Sequence, residues 1–206
     1  MNRFAFAVLV LLSLGVAGYG LVAYGLFEPG AKLHPAMRAT YAEHGFAIRA
    51  HVFASAVALI LGPFQFVPGL RAARPALHRW SGRVYLGVGV LVGGLAGLVM
   101  ATHAFGGTMS TLGFGALALA WLATGTLAYR AIRAGDTVAH RRWMIRNFAL
   151  TFAAVTLRLQ LPAAMMLRIP FEVAYPIIAW TCWVPNLVVA EAWLRRRGSP
   201  LRAAGT

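Results

Sequence analysis

Six histidines and one arginine inside an apolar run are the residues of this chain whose types and spacing suit chemistry. His51 and His103 each fall in the first or last turns of a hydrophobic segment. Imidazoles on two neighbouring membrane helices can supply both axial ligands of a haem, so His51 and His103 are the best pair for haem b. His78 and His140 lie at the opposite, arginine-rich boundaries, where they suit either a second haem site or plain interfacial hydrogen bonding. Without a porphyrin, His44 and His51 share a face if one helix holds both, and with His103 they can form a three-nitrogen zinc or copper site. No HExxH spacing and no nucleophile elbow is present, which argues against hydrolysis.

The arginine is Arg158, in HRRWMIRNFALTFAAVTLRLQLP. An arginine in an apolar run is costly unless it snorkels, pairs or faces a polar interior. Counted from Trp143, it sits roughly 22 Å along its helix, which brings it towards the depth of His51 and His103. It can neutralise an anionic group or meet a carbonyl on a buried ligand, a haem propionate or a quinone for example. Equally, it can snorkel outward or bond the carbonyls freed by Pro162.

Helices must position these groups. The chain has 206 residues, 60% of them hydrophobic, and a mean hydropathy of +0.69. The apolar residues gather into runs long enough to cross a hydrocarbon layer of roughly 30 Å. The expected fold is all-α, a single domain of six transmembrane helices at about 4–27, 48–67, 81–105, 110–132, 143–166 and 171–194, with 195–206 as a tail. The alternation that a membrane barrel needs is missing. The first run is too long for a signal peptide and reads as a retained helix. PGLRAARPALHRWSGR reads as a basic loop between the second and third helices.

The net charge of +14 lies beside the apolar runs, with no module suited to nucleic acid. Lys and Arg cluster at the N terminus and after helices two, four and six, so both termini are expected in the cytoplasm and the His34/His44 segment outside. Arg141, Arg142 and Arg146 suit anionic lipid headgroups, and Trp80, Trp143 and Trp193 suit an interfacial belt. Glu191 is placed to pair with Arg142 or Arg146. The lone Cys182 excludes an internal disulfide. Scarce intramembrane carboxylates and no evident duplicated half weigh against a proton-driven transporter.

His51 and Gln65, HRWSGRVY at 78–85, His103, HRRWMIRNFALTFAAVTLR at 140–158 and WVPNLVVAEAW at 183–193 resemble the DUF2306 family of bacterial integral membrane proteins. The resemblance covers about residues 45–193 and implies a multi-helical membrane protein, with no reaction to carry over. A looser similarity is to b561-type two-haem membrane cytochromes, which place histidines near both faces of a small bundle. The functional expectation is a bacterial inner-membrane redox protein holding haem or quinone near the outer face, with His51, His103 and Arg158 at the cofactor. The other class is a non-enzymatic small transporter or assembly partner, in which these residues pack the helices.

Overall fold

The computed structural model describes residues 3–28 and 34–198. Residues 1–2, 29–33 and those from 199 onward lie outside the described residues, and with them most of the expected 195–206 tail; residues 195–198 continue the last helix. The described chain is all-helical and carries six helices long and apolar enough to cross a membrane: Arg3–Gly25, Gly45–Phe66, Pro75–Thr102, Gly107–Arg133, Thr137–Met166 and Phe171–Arg196. It is a polytopic six-span bundle.

In chain order the helices are α1 (Arg3–Gly25), α2 (Pro35–Glu43), α3 (Gly45–Leu61), α4 (Pro68–Ala73), α5 (Pro75–Val84), α6 (Gly93–Thr102), α7 (Gly107–Arg133), α8 (Thr137–Thr151), α9 (Ala153–Met166), α10 (Phe171–Thr181) and α11 (Val184–Gly198). A short 3₁₀ turn, Pro63–Phe66, ends the second span. A π-helical segment, Tyr85–Val92, joins α5 to α6 inside the third. The third and fifth spans start earlier than their hydrophobicity suggests, because start signals precede the apolar residues. Pro75 occupies the first turn of α5, where its missing N–H costs nothing. Asp136 caps α8 by accepting from the Ala139 N–H at 2.8 Å, as N-cap carboxylates do. The stretch read as a basic loop is therefore α4 and the start of α5. His78 and His140 sit inside helices, and His103 falls one residue past the end of α6.

Turns between spans follow local chemistry. Gly106 and Gly107 take positive φ, 91° and 65°, and a Cβ on Gly106 would come within 2.6 Å of Pro176 Cγ. After α9, Arg168 adopts φ 56° while the Ile169 N–H bonds back to the Ala164 carbonyl at 3.0 Å, a left-handed helix stop. The core lies where α3, the third span, α7 and α8 meet, around Ala58, Tyr85, Trp121 and Phe148. Small residues permit the approach: a Cβ on Gly89 would stand 2.8 Å from Ala58 Cβ. α1 packs along α3 at the periphery, with much of its surface left to lipid.

Candidate functional site: a histidine-lined cavity at the basic end

Starting α5 at Pro75 puts His78 in its first turn. Around it, Gln65 Nε2 donates to Ser81 Oγ at 2.8 Å, and Ser81 in turn donates to the Leu77 carbonyl at 2.7 Å. Gln65 Oε1 comes within 3.1 Å of where a Cβ on Gly82 would stand, so glycine there admits the amide. From α8, His140 Nδ1 lies 2.9 Å from the Ala128 carbonyl of α7. A carbonyl only accepts, so this nitrogen carries the proton and the Nε2 lone pair is left for another partner. The carbonyl-anchored imidazole is the arrangement that metal-ligating histidines commonly show. His78 Nδ1 is sealed from solvent with no hydrogen-bond partner.

The two histidines line one cavity of about 1390 Å³, and each is within the other's electrostatic reach. Its deep wall is aliphatic, with Leu86, Val90 and Leu122 beside Met144 and Ile145; its mouth carries Arg71, Arg79, Arg83, Arg133, Arg141 and Arg142, and among the described residues no carboxylate lines it. An apolar depth with a cationic rim suits a flat or elongated apolar molecule bearing anionic groups at one end. The π-helical segment contributes Leu86, Gly87, Val90 and Leu91 to the wall, and such bulges recur at functional sites.

Behind the cavity lies a buried polar network joining three spans. Tyr85 Oη donates to Asn147 Oδ1 at 2.7 Å and meets Thr151 Oγ1 at 2.8 Å. Trp121 Nε1 donates to Thr151 Oγ1 at 2.8 Å. Asn147 Nδ2 donates to the Trp121 carbonyl at 2.8 Å and to Thr124 Oγ1 at 2.9 Å. The sequence reading passed over these residues. The signal was there in Asn147 and Thr151, four apart on one face of α8 beyond Arg146, where the residues between them are apolar. Outside the cavity lining, Glu191 is held by both Nε and Nη2 of Arg146, the latter at 3.0 Å, as one of the two expected pairings. Arg146 also lies 4.7 Å over the Trp143 ring.

The other candidate residues gather at the opposite end. His51 Nδ1 lies 2.8 Å from the Gly93 carbonyl, which fixes its proton as it does for His140. The His103 ring instead packs on His44, with centroids 3.7 Å apart. His51 lies seven residues beyond His44, about 10 Å deeper along the helix. Among the described residues no three His, Cys, Asp or Glu side chains form a group fit for a metal ion, so His44, His51 and His103 are not gathered into a three-nitrogen set there. Arg158 does stand near His51, within its electrostatic reach, and its Nη1 donates to the Ala154 carbonyl of its own helix at 3.0 Å. Gln160, beside it in sequence, bonds instead to Thr181 of α10.

Neither a curated protein nor a solved structure matches the chain. The family model described as "Predicted membrane protein (DUF2306)" matches residues 48–194, from the second span to the end of the sixth. The chain, a six-span membrane protein with a histidine-lined cavity at its basic end, belongs to the DUF2306 family.

Proposed function

We propose that the protein is a membrane electron-transfer protein whose cavity at the basic end would hold haem b, with His78 and His140 as the residues that would bind its iron. The observation that carries the reading is that two imidazoles from different spans line one large cavity whose charged lining, among the described residues, is arginine. Its volume of about 1390 Å³ exceeds the roughly 300–1,000 Å³ of ordinary small-molecule sites. The chemistry of the donors fits the group. Ala128 sets the His140 proton on Nδ1, leaving Nε2 for the metal; the orphaned His78 Nδ1 marks an imidazole awaiting a role; the arginine rim suits two propionates. Bound haem would supply one-electron chemistry, and the chain's own part is to orient the imidazoles, keep the depth apolar and screen the propionates. Of the pair favoured by sequence, His51 is carbonyl-anchored like His140, but the His103 ring packs on His44, which favours the inner pair. A quinone remains a suitable partner for electrons at the same membrane.

The positive-inside rule places the basic end, and both termini, on the cytoplasmic side of a bacterial inner membrane, where anionic headgroups would meet the arginine rim. Difference spectra of protein purified in mild detergent after expression with ample haem test the reading. A reducible Soret band with sharp α and β bands is expected, lost in both H78A and H140A while H51A and H103A retain it. Folded wild-type protein without haem, or H140A spectra equal to wild type, overturns it. A reporter fused after Arg197 should be cytoplasmic, and its export would reverse the sides.

A further inference from the structure

Away from that cavity, Arg158 is the hub of a polar nest assembled from five elements. Its guanidinium carbon lies 5.7 Å from the Tyr19 ring of α1. Tyr24 of α1, Tyr41 of α2, His51 of α3 and Tyr175 of α10 are all within its electrostatic reach. Tyr41 and Tyr175 are hydrogen-bonded to each other across the nest. Every one of these neighbours is a neutral side chain at ordinary pH, or in His51 a ring whose Nδ1 is already engaged by Gly93. The described residues include no ion pair for Arg158; Arg146–Glu191 is the salt bridge they form. The Nη1 bond to Ala154 stays within its own helix, and Nε is buried with no partner.

Arg158 lies eight residues before Met166, the end of α9, hence about 12 Å below that end of the span. A permanent cation at that depth with one carbonyl and the Tyr19 ring against it lacks its counter-charge. A quinone or another neutral carbonyl would bond the free Nε–H but leave the charge standing. An anion answers both, and a planar carboxylate accepts from Nε and Nη together. A way in is present. Tyr19, whose ring meets Arg158, also lines an apolar groove of about 570 Å³ on α1 with Gly18, Val22, Ala23 and Phe27, and Tyr19 and Val22 are half exposed on the outer face of the bundle.

We infer that the Arg158 nest is a carboxylate-binding site, in which the guanidinium holds the carboxylate and the groove along α1 takes the apolar remainder of the ligand. It is independent of the haem reading, since the two sites share no residue. Two sources offer this chemistry: a single-chain fatty acid arriving from the bilayer, and a short aromatic acid arriving from water.

The test titrates the full chain, in phosphatidylcholine nanodiscs, with laurate, with dodecanol as its uncharged counterpart, and with benzoate, reading affinity by calorimetry. Laurate should bind at least about tenfold more tightly than dodecanol, and R158Q should weaken it about 10- to 100-fold, the range of a charge-assisted hydrogen-bonded pair. H140A should bind laurate like wild type, which keeps a failure of the haem reading separate from a failure here. Benzoate binding that laurate displaces assigns the water-borne acid; laurate binding without benzoate binding assigns the lipid one. Equal affinity for laurate and dodecanol, R158Q binding like wild type, or no binding of either acid overturns the inference. If R158Q does not fold, R158K keeps the charge and removes the fork; it should weaken binding about tenfold, and unchanged affinity overturns the inference equally.

Discussion

Replacing Asn147 by leucine should measurably loosen the bundle, because its side chain makes three bonds to three residues of two other spans. It accepts from Tyr85 Oη and donates to the Trp121 carbonyl and Thr124 Oγ1. Interhelical hydrogen bonds in membrane proteins average about 0.6 kcal/mol, so three amount to about 2 kcal/mol. Tyr85→Phe works differently. It removes one hydroxyl but strands Asn147 Oδ1, whose partner in the fold is Tyr85, in a site where Asn147 is 0% exposed. Stranding a buried acceptor costs about 1–3 kcal/mol. In the N147L background no acceptor is stranded, and Y85F then costs only the bond to Thr151. The double variant should therefore fall short of the sum of the singles by about 1 kcal/mol. The assay is reversible unfolding by SDS in mixed micelles, followed by tryptophan fluorescence. Singles within about 0.5 kcal/mol of wild type, or strict additivity, would refute the idea that this network ties the third span to the fourth and fifth. Since Tyr85 opens the π-helical wall of the cavity, the haem occupancy proposed above should fall in N147L in step with stability.

Further outcomes follow from other contacts. Gly89→Ala places a methyl 2.8 Å from Ala58 Cβ and 3.2 Å from its backbone nitrogen, so the helices must part; the same unfolding assay should register a loss of about 1–3 kcal/mol. Gly115→Ala meets nothing within 4 Å and should be neutral or stabilising by up to about 1 kcal/mol. The Tyr41 hydroxyl is held well above the usual tyrosine range, first by burial and then by Tyr175. The unfolded chain therefore ionises Tyr41 from about pH 10 while the folded one resists. Stability owed to this group is intact below that pH and lost as pH rises above it. Y41F should show a shallower alkaline loss in thermal melts at pH 9 to 11, and an unchanged slope would contradict that origin.

The sequence alone determined the class of fold, since six apolar runs in a chain of this length admit few arrangements other than a helical bundle in a membrane. It determined the uneven ends as well, because arginines beside apolar runs are legible without coordinates. Helix starts were less legible: Pro75 and Asp136 act ahead of the hydrophobic residues, and reading hydropathy alone left His78 and His140 at the margins. Only the tertiary structure decided which histidines meet. Depth along a helix is countable from sequence, but azimuth and neighbour are set by packing. Packing turned His51 onto the Gly93 carbonyl and His103 onto His44, while His78 and His140 came to face one cavity. Arg158 shows both halves of the lesson. Its depth and its nearness to His51 followed from counting residues; its approach to tyrosines of α1, α2 and α10 did not, because residues distant in sequence become neighbours only when six helices share one core.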